Sequence, residues 1–206
     1  MYYAFASIRE GIFGDKMAAR QFAEQALAWS SGRDVQALSA TGLAFAGDAA
    51  RAEQFATDLS KKHPNDTLIQ KAWVPVIRGE IALNRGDFEK ALTILAPDQT
   101  DDLGSVTSGA ITETMLPVYL RGMAYLQAGR GKEAATEFEK FLADRGAVLN
   151  LPQAAVARLG LARAYALEGD DAKARVAYQN LFAQWKDADP DLPLLVAAKA
   201  EYAKLK

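Results

Sequence analysis

A glycine, in four of five cases followed by aspartate, interrupts apolar helical patterning along this chain: Gly14-Asp15, Gly47-Asp48, Gly86-Asp87, Gly129-Arg130 and Gly169-Asp170. The intervals are 33, 39, 43 and 40 residues, within the range of helical solenoids though less regular than a pure array. A glycine reaches the left-handed conformation that closes one helix, and an aspartate beside it caps the next. Together they predict a tight antiparallel helix pair at each position. Five residues beyond each glycine stands an alanine: Ala19, Ala52, Ala91, Ala134 and Ala174. Seven before it stands another small residue, at Ser7, Ala40, Gly79, Gly122 and Ala162. Small residues there let the two helices of a hairpin cross closely, with bulkier apolar groups following at Leu95, Phe138 and Tyr178.

Alanine is abundant, no long β-branched alternation occurs, and half of the 206 residues are apolar, so the expected class is all-α with a substantial core. A formal charge of -2 gives no basic footprint for nucleic acid. The absence of cysteine excludes disulfides, thiolate metal sites and a thiol nucleophile. No apolar run approaches the ~20 residues that span a bilayer. The N-terminal segment, residues 1–15, lacks the basic start and continuous apolar stretch of a signal peptide. It reads as an amphipathic helix already in progress, so the chain is expected to be a piece of a longer protein.

The pattern maps one domain over 1–206, with hairpins at about 2–30, 33–62, 66–96, 114–143 and 153–185 and a capping helix at 192–205. Prolines at 75, 117 and 152 are placed at the openings of first helices, where a missing backbone donor costs little. The breaker-rich stretches 97–109 and 145–152 read as connectors. In the last helix Leu194, Leu195, Ala198, Tyr202 and Leu205 share one face, as a terminal unit needs to cover its exposed apolar side.

Candidate chemistry is sparse. His63 is the one histidine and reads as a solvated residue before Pro64. Asp101-Asp102 reads as part of a polar loop and Asp170-Asp171 as a helix cap. The Gly-Arg-Gly at 129–131 lacks the Gly-Lys-Ser/Thr of a phosphate loop. No catalytic, metal or cofactor site is expected, and Trp29, Trp73 and Trp185 read as hairpin packing.

The segments LGLARAYALEGDDAKARVAYQNL (159–181) and LRGMAYLQAGRGKEAATEFEKFL (120–142) resemble tetratricopeptide repeats, with RGEIALNRGDFEKALTIL (78–95) a moderate match. The family's early tryptophan is missing, its place taken by Tyr3, Gln36, Pro75, Val118 and Arg158. The resemblance implies a right-handed α-α superhelix of about five hairpins whose concave face, formed mostly by first helices, binds a protein or peptide. The family's groove positions fall on Arg9, Thr41, Trp73, Glu80, Asn84, Tyr119, Met123, Gln127 and Arg163, among others. The basic pattern with which some members clamp a peptide carboxylate is absent.

Residues 119–206, and more loosely 64–118, also resemble the C-terminal repeat region of acidobacterial transmembrane serine/threonine kinases, notably through WKDADPDLP (185–193) and AKAEYAKL (198–205). This resemblance implies a sensory or interaction region of such a kinase, possessing neither its catalytic motifs nor its membrane helix and lying on the extracytoplasmic side. Two alternatives stay open: a stand-alone soluble adaptor or assembly factor, with a cytoplasmic location, and the accessory domain of a winged-helix transcriptional regulator.

Overall fold

The structure is a computed structural model that describes residues 1–96, 115–143 and 152–205. Among the described residues it is all-α. The helices are α1 (Tyr2–Phe13), α2 (Lys16–Trp29), α3 (Arg33–Phe45), α4 (Ala49–Lys62), α5 (Val74–Asn84) and α6 (Phe88–Ile94). After the first gap come α7 (Leu116–Gln127) and α8 (Gly131–Ala143), then α9 (Pro152–Glu168), α10 (Asp171–Gln184) and α11 (Pro193–Tyr202). The two connectors read from the sequence lie outside the described residues, apart from Pro152, which begins α9.

One turn is built five times. Gly14, Gly47, Gly86, Gly129 and Gly169 all have positive φ, between 76 and 93°. Each glycine N–H donates to the carbonyl three residues back, and the following N–H donates to the residue four before the glycine: Glu10, Leu43, Ala82, Tyr125 or Tyr165. This paired pattern satisfies carbonyls that the helix end would leave bare. Asp15, Asp48 and Asp170 then cap the next helix, their carboxylates accepting from Ala18, Arg51 and Lys173 backbone N–H groups. Asp87 occupies the same place without that side-chain bond. A Cβ at Gly86 would meet no atom within 4 Å, so Gly86→Ala isolates the backbone cost alone. It is expected to lower stability by about 1–2 kcal/mol with an unchanged denaturant m value, read from chemical unfolding.

The small residues read as crossing points do bring backbones together. A Cβ on Gly79 would lie 2.7 Å from the Leu95 side chain of α6, and one on Gly122 would lie 2.8 Å from the Phe138 ring of α8. Ala19, Ala52, Ala91, Ala134 and Ala174 are wholly buried, as are Leu95 and Phe138. Consecutive helices pack as hairpins, each second helix also packs on the following first helix, and the first helices form a row: α1, α3, α5, α7, α9. The row turns back on itself. Helix α1 meets α9, and Phe13 at the end of α1 lies against Trp185 after α10, ring centroids 6.3 Å apart.

Two expectations change. Pro75 stands in the first turn of α5 as expected, but it does not start the helical path. The helical path begins earlier and passes through a π segment, Ile69–Trp73, in which Val74 N–H donates to the Ile69 carbonyl. Proline lacks a donor, and the wider i→i+5 turn just before it absorbs the break in the ladder. Trp29 is not hairpin packing either. The buried face of α2 is Ala19, Ala23 and Ala26, and Trp29, at the helix end beyond that contact, is 82% exposed. Trp73 is in the core, and Trp185 is half-buried.

At the C-terminal end, Ala198 of α11 is buried with Leu159, Ala162, Tyr178 and Leu181, and Leu194 and Tyr202 pack against them. Polar contacts fix the helix in place. Arg163 donates twice to Glu201, at 2.9 and 2.8 Å, and Tyr178 Oη donates to the same carboxylate at 2.8 Å. Those two donors hold the Glu201 carboxyl below its ordinary range, against the opposing effect of its partial burial.

Candidate functional site

The first helices converge on a cavity of about 370 Å³. Its wall is Gly11 and Ile12 from α1, Phe45 from α3, Glu80, Leu83 and Asn84 from α5, and Tyr119, Leu120, Met123 and Gln127 from α7; Lys16 reaches it from the first turn of α2. Four of these, Ile12, Phe45, Asn84 and Gln127, stand two residues before a turn glycine. Glu80 and Met123 stand six before theirs, one helical turn further in. The repeated turn therefore places equivalent positions of four successive hairpins around one space, at the glycine end of the row.

The polar floor is ordered. Asn84 Nδ2 donates to Glu80 Oε1 and to the Ala44 carbonyl, each at 2.9 Å, which ties α5 to α3. With both amide hydrogens committed, Asn84 has its carbonyl oxygen left to offer. Among the described residues no protein donor meets the second Glu80 carboxyl oxygen. Burial pushes the Glu80 carboxyl up to about 8, opposed by the Asn84 hydrogen bond and by the Lys16 charge, so at neutral pH it is mostly protonated. Burial, and then the nearby Glu80, likewise raise the Tyr119 phenol, while Arg163 acts in the opposite direction. The Tyr119 ring is braced from behind by Phe138 and Phe141, at centroid distances of 6.2 and 6.0 Å.

Of the nine residues that the sequence placed on a binding face, five line this cavity: Glu80, Asn84, Tyr119, Met123 and Gln127. The other four do not. Thr41 is fully buried, its hydroxyl donating back to the Ala37 carbonyl within α3. Trp73 is buried in the π segment, where its indole N–H has no partner among the described residues. Arg9 lies on the outer side of α1, paired with its neighbour Glu10. Arg163 is engaged by Glu201. Thr41 and Trp73 are both buried, and neither lines the cavity.

Sequence reasoning missed Gly11, Ile12, Leu83, Leu120 and, as the charged residue among them, Lys16. Lys16 was passed over because it starts a second helix, yet it directly follows the first Gly-Asp turn, at the end of the hairpin where the cavity lies. Its neighbourhood to the turn was the available signal. Among the described residues no group of three or more His, Cys, Asp or Glu could hold a metal ion, and no helix is long and apolar enough to cross a membrane. No protein-family model and no curated protein matches the chain, so its reading rests on its own residues.

Proposed function

We propose that this chain is a non-catalytic binding module, a right-handed superhelix of the tetratricopeptide type that receives a protein or peptide partner on its inner face. One observation carries the reading: equivalent positions of four successive hairpins converge on a single cavity, largely polar in its open surface, with an ordered floor. The cavity is at the small end of ligand sites, which suits one inserted side chain rather than a whole folded segment. The partner's remaining contacts would spread over the exposed ends of the first helices. The resemblance of residues 119–206 to kinase repeat regions supports a place within a larger signalling protein, where binding here would be passed to another domain.

Gln127 is exposed at the cavity rim and makes a mild site for obstruction. With a peptide selected from a library on the full chain, Gln127→Arg is expected to weaken binding by tenfold or more, while Arg9→Ala leaves it unchanged. Fluorescence anisotropy reads both. Binding that survives Gln127→Arg but is lost on Trp29→Ala would move the partner to the outer surface of α2.

A further inference from the structure

The inner cavity combines a nearly buried carboxyl and a committed amide with a mostly polar open surface to which Ile12, Leu83 and Met123 add hydrocarbon, and that combination selects for one kind of chemical group. We propose that the cavity takes an alkylammonium or guanidinium group, the charged end meeting the free Glu80 carboxyl oxygen and the aliphatic stem lying along Ile12, Phe45, Leu83 and Met123. This rests on the reading of the cavity as the binding site. Asn84 is held with both hydrogens donated, so it adds an acceptor beside the Glu80 oxygen rather than a donor. An arriving cation would find two acceptors at the floor of a largely polar cavity, with hydrocarbon from Ile12, Leu83 and Met123 beside its stem.

The groups that act on Glu80 are Asn84 of α5 and Lys16 of α2, and Glu80 in turn raises Tyr119 of α7. Arginines of α5, α7 and α9 are engaged elsewhere: Arg78 with Glu53 of α4, Arg121 with Glu137 of α8, and Arg163 with Glu201. Cation binding breaks the Glu80 O–H bond, and the proton leaves to solvent as the carboxylate pairs with the ligand. Because Glu80 is held protonated up to about pH 8, affinity rises with pH below that point and then levels. Lys16 opposes an incoming cation, so removing its charge favours binding.

Titration calorimetry of the full chain with agmatine, and with a capped pentapeptide carrying one arginine between glycines, tests this in two buffers of different ionisation enthalpy. The expected result is an affinity that rises about tenfold from pH 6.5 to 7.5, with close to one proton released per ligand at the lower pH. Glu80→Gln, which keeps an oxygen for Asn84, should abolish both the binding and the proton release, and Lys16→Ala should strengthen binding several-fold. Affinity that falls with pH, weakens in Lys16→Ala, or is indifferent to Glu80→Gln overturns the proposal. Agmatine binding without peptide binding keeps the proposal, assigns the cavity to a small amine and defeats the partner reading. A library peptide that is blocked by Gln127→Arg yet needs neither a basic residue nor Glu80 keeps the partner reading and defeats this one.

Discussion

Between pH 4.5 and 8 the free energy of unfolding is expected to fall by roughly 3–5 kcal/mol, and Glu80→Gln should remove most of that slope. The folded state keeps a proton on Glu80 up to about pH 8, whereas an unfolded glutamate gives it up at its ordinary value of 4.5. Below that ordinary value both states are protonated and burial carries no ionisation cost. As pH rises through the interval, the unfolded chain gains the freedom to ionise and the folded chain does not, so stability is lost. Asp66, Asp170 and Glu201 work in the opposite sense, since their carboxyls are held below their ordinary values. Their contribution disappears only in acid, as pH falls through the lowered values, and so leaves the upper window to Glu80. Urea unfolding of the native chain and the Glu80→Gln variant at half-unit steps separates the two windows. A flat native profile from pH 5 to 8 would mean that the carboxyl is solvated and not buried as described.

Phe138→Ala should cost about 3–5 kcal/mol, a large effect for a single truncation. Phe138 is fully buried on α8 and sits between two glycines of neighbouring first helices. A Cβ on Gly122 of α7 would come within 2.8 Å of its ring, and one on Gly160 of α9 within 2.5 Å. The ring therefore holds the fourth and fifth hairpins together while also backing Tyr119 at the cavity wall. The same geometry makes Gly160→Ala an overpacking change of about 1–3 kcal/mol. Because the two sites touch, their effects should not add: Phe138→Leu ought to recover part of the Gly160→Ala loss. Differential scanning of the two single variants and the double variant measures that coupling. Full additivity would show that the crossing is looser than the structure has it.

Much of the fold was legible because its turns depend on two residue types with little freedom of substitution. Only glycine takes the left-handed conformation at no steric cost, and aspartate suits the cap that follows, so the five hairpin ends stand out in the sequence. The alanines five residues later were legible for the same reason, as a tight turn forces the second helix close to the first. What the pattern could not show was the return of α1 onto α9. That contact depends on small rotations accumulated over four hairpins, and no local residue signals their sum. The π segment before Pro75 was hidden similarly, since the proline alone suits either a helix start or a distorted helix interior.

The site was legible in part, and the division follows the turn. Asn84 and Gln127 sit two residues before their glycines, and Glu80 and Met123 six before, where the helix ends open toward the common space. Thr41 occupies the equivalent six-before place in its hairpin but lies at a closer packing of α3 with its neighbours, and its buried hydroxyl is satisfied within its own helix. Five of the nine positions taken from the resemblance line the cavity, while burial separates Thr41 and Trp73 from it. The raised Glu80 value had no sequence signal, because it arises from desolvation by four helices that are distant in the chain.

The methionines give the most direct test of the inner cavity as the binding surface. Met123 lines it, Met17 is exposed on α2, and Met115 is buried before α7. With the methyl groups labelled, titration of the arginine pentapeptide at pH 8 should shift the Met123 resonance progressively to saturation, while Met17 stays in place. A shift confined to Met17, with Met123 unmoved at saturating peptide, would contradict the account.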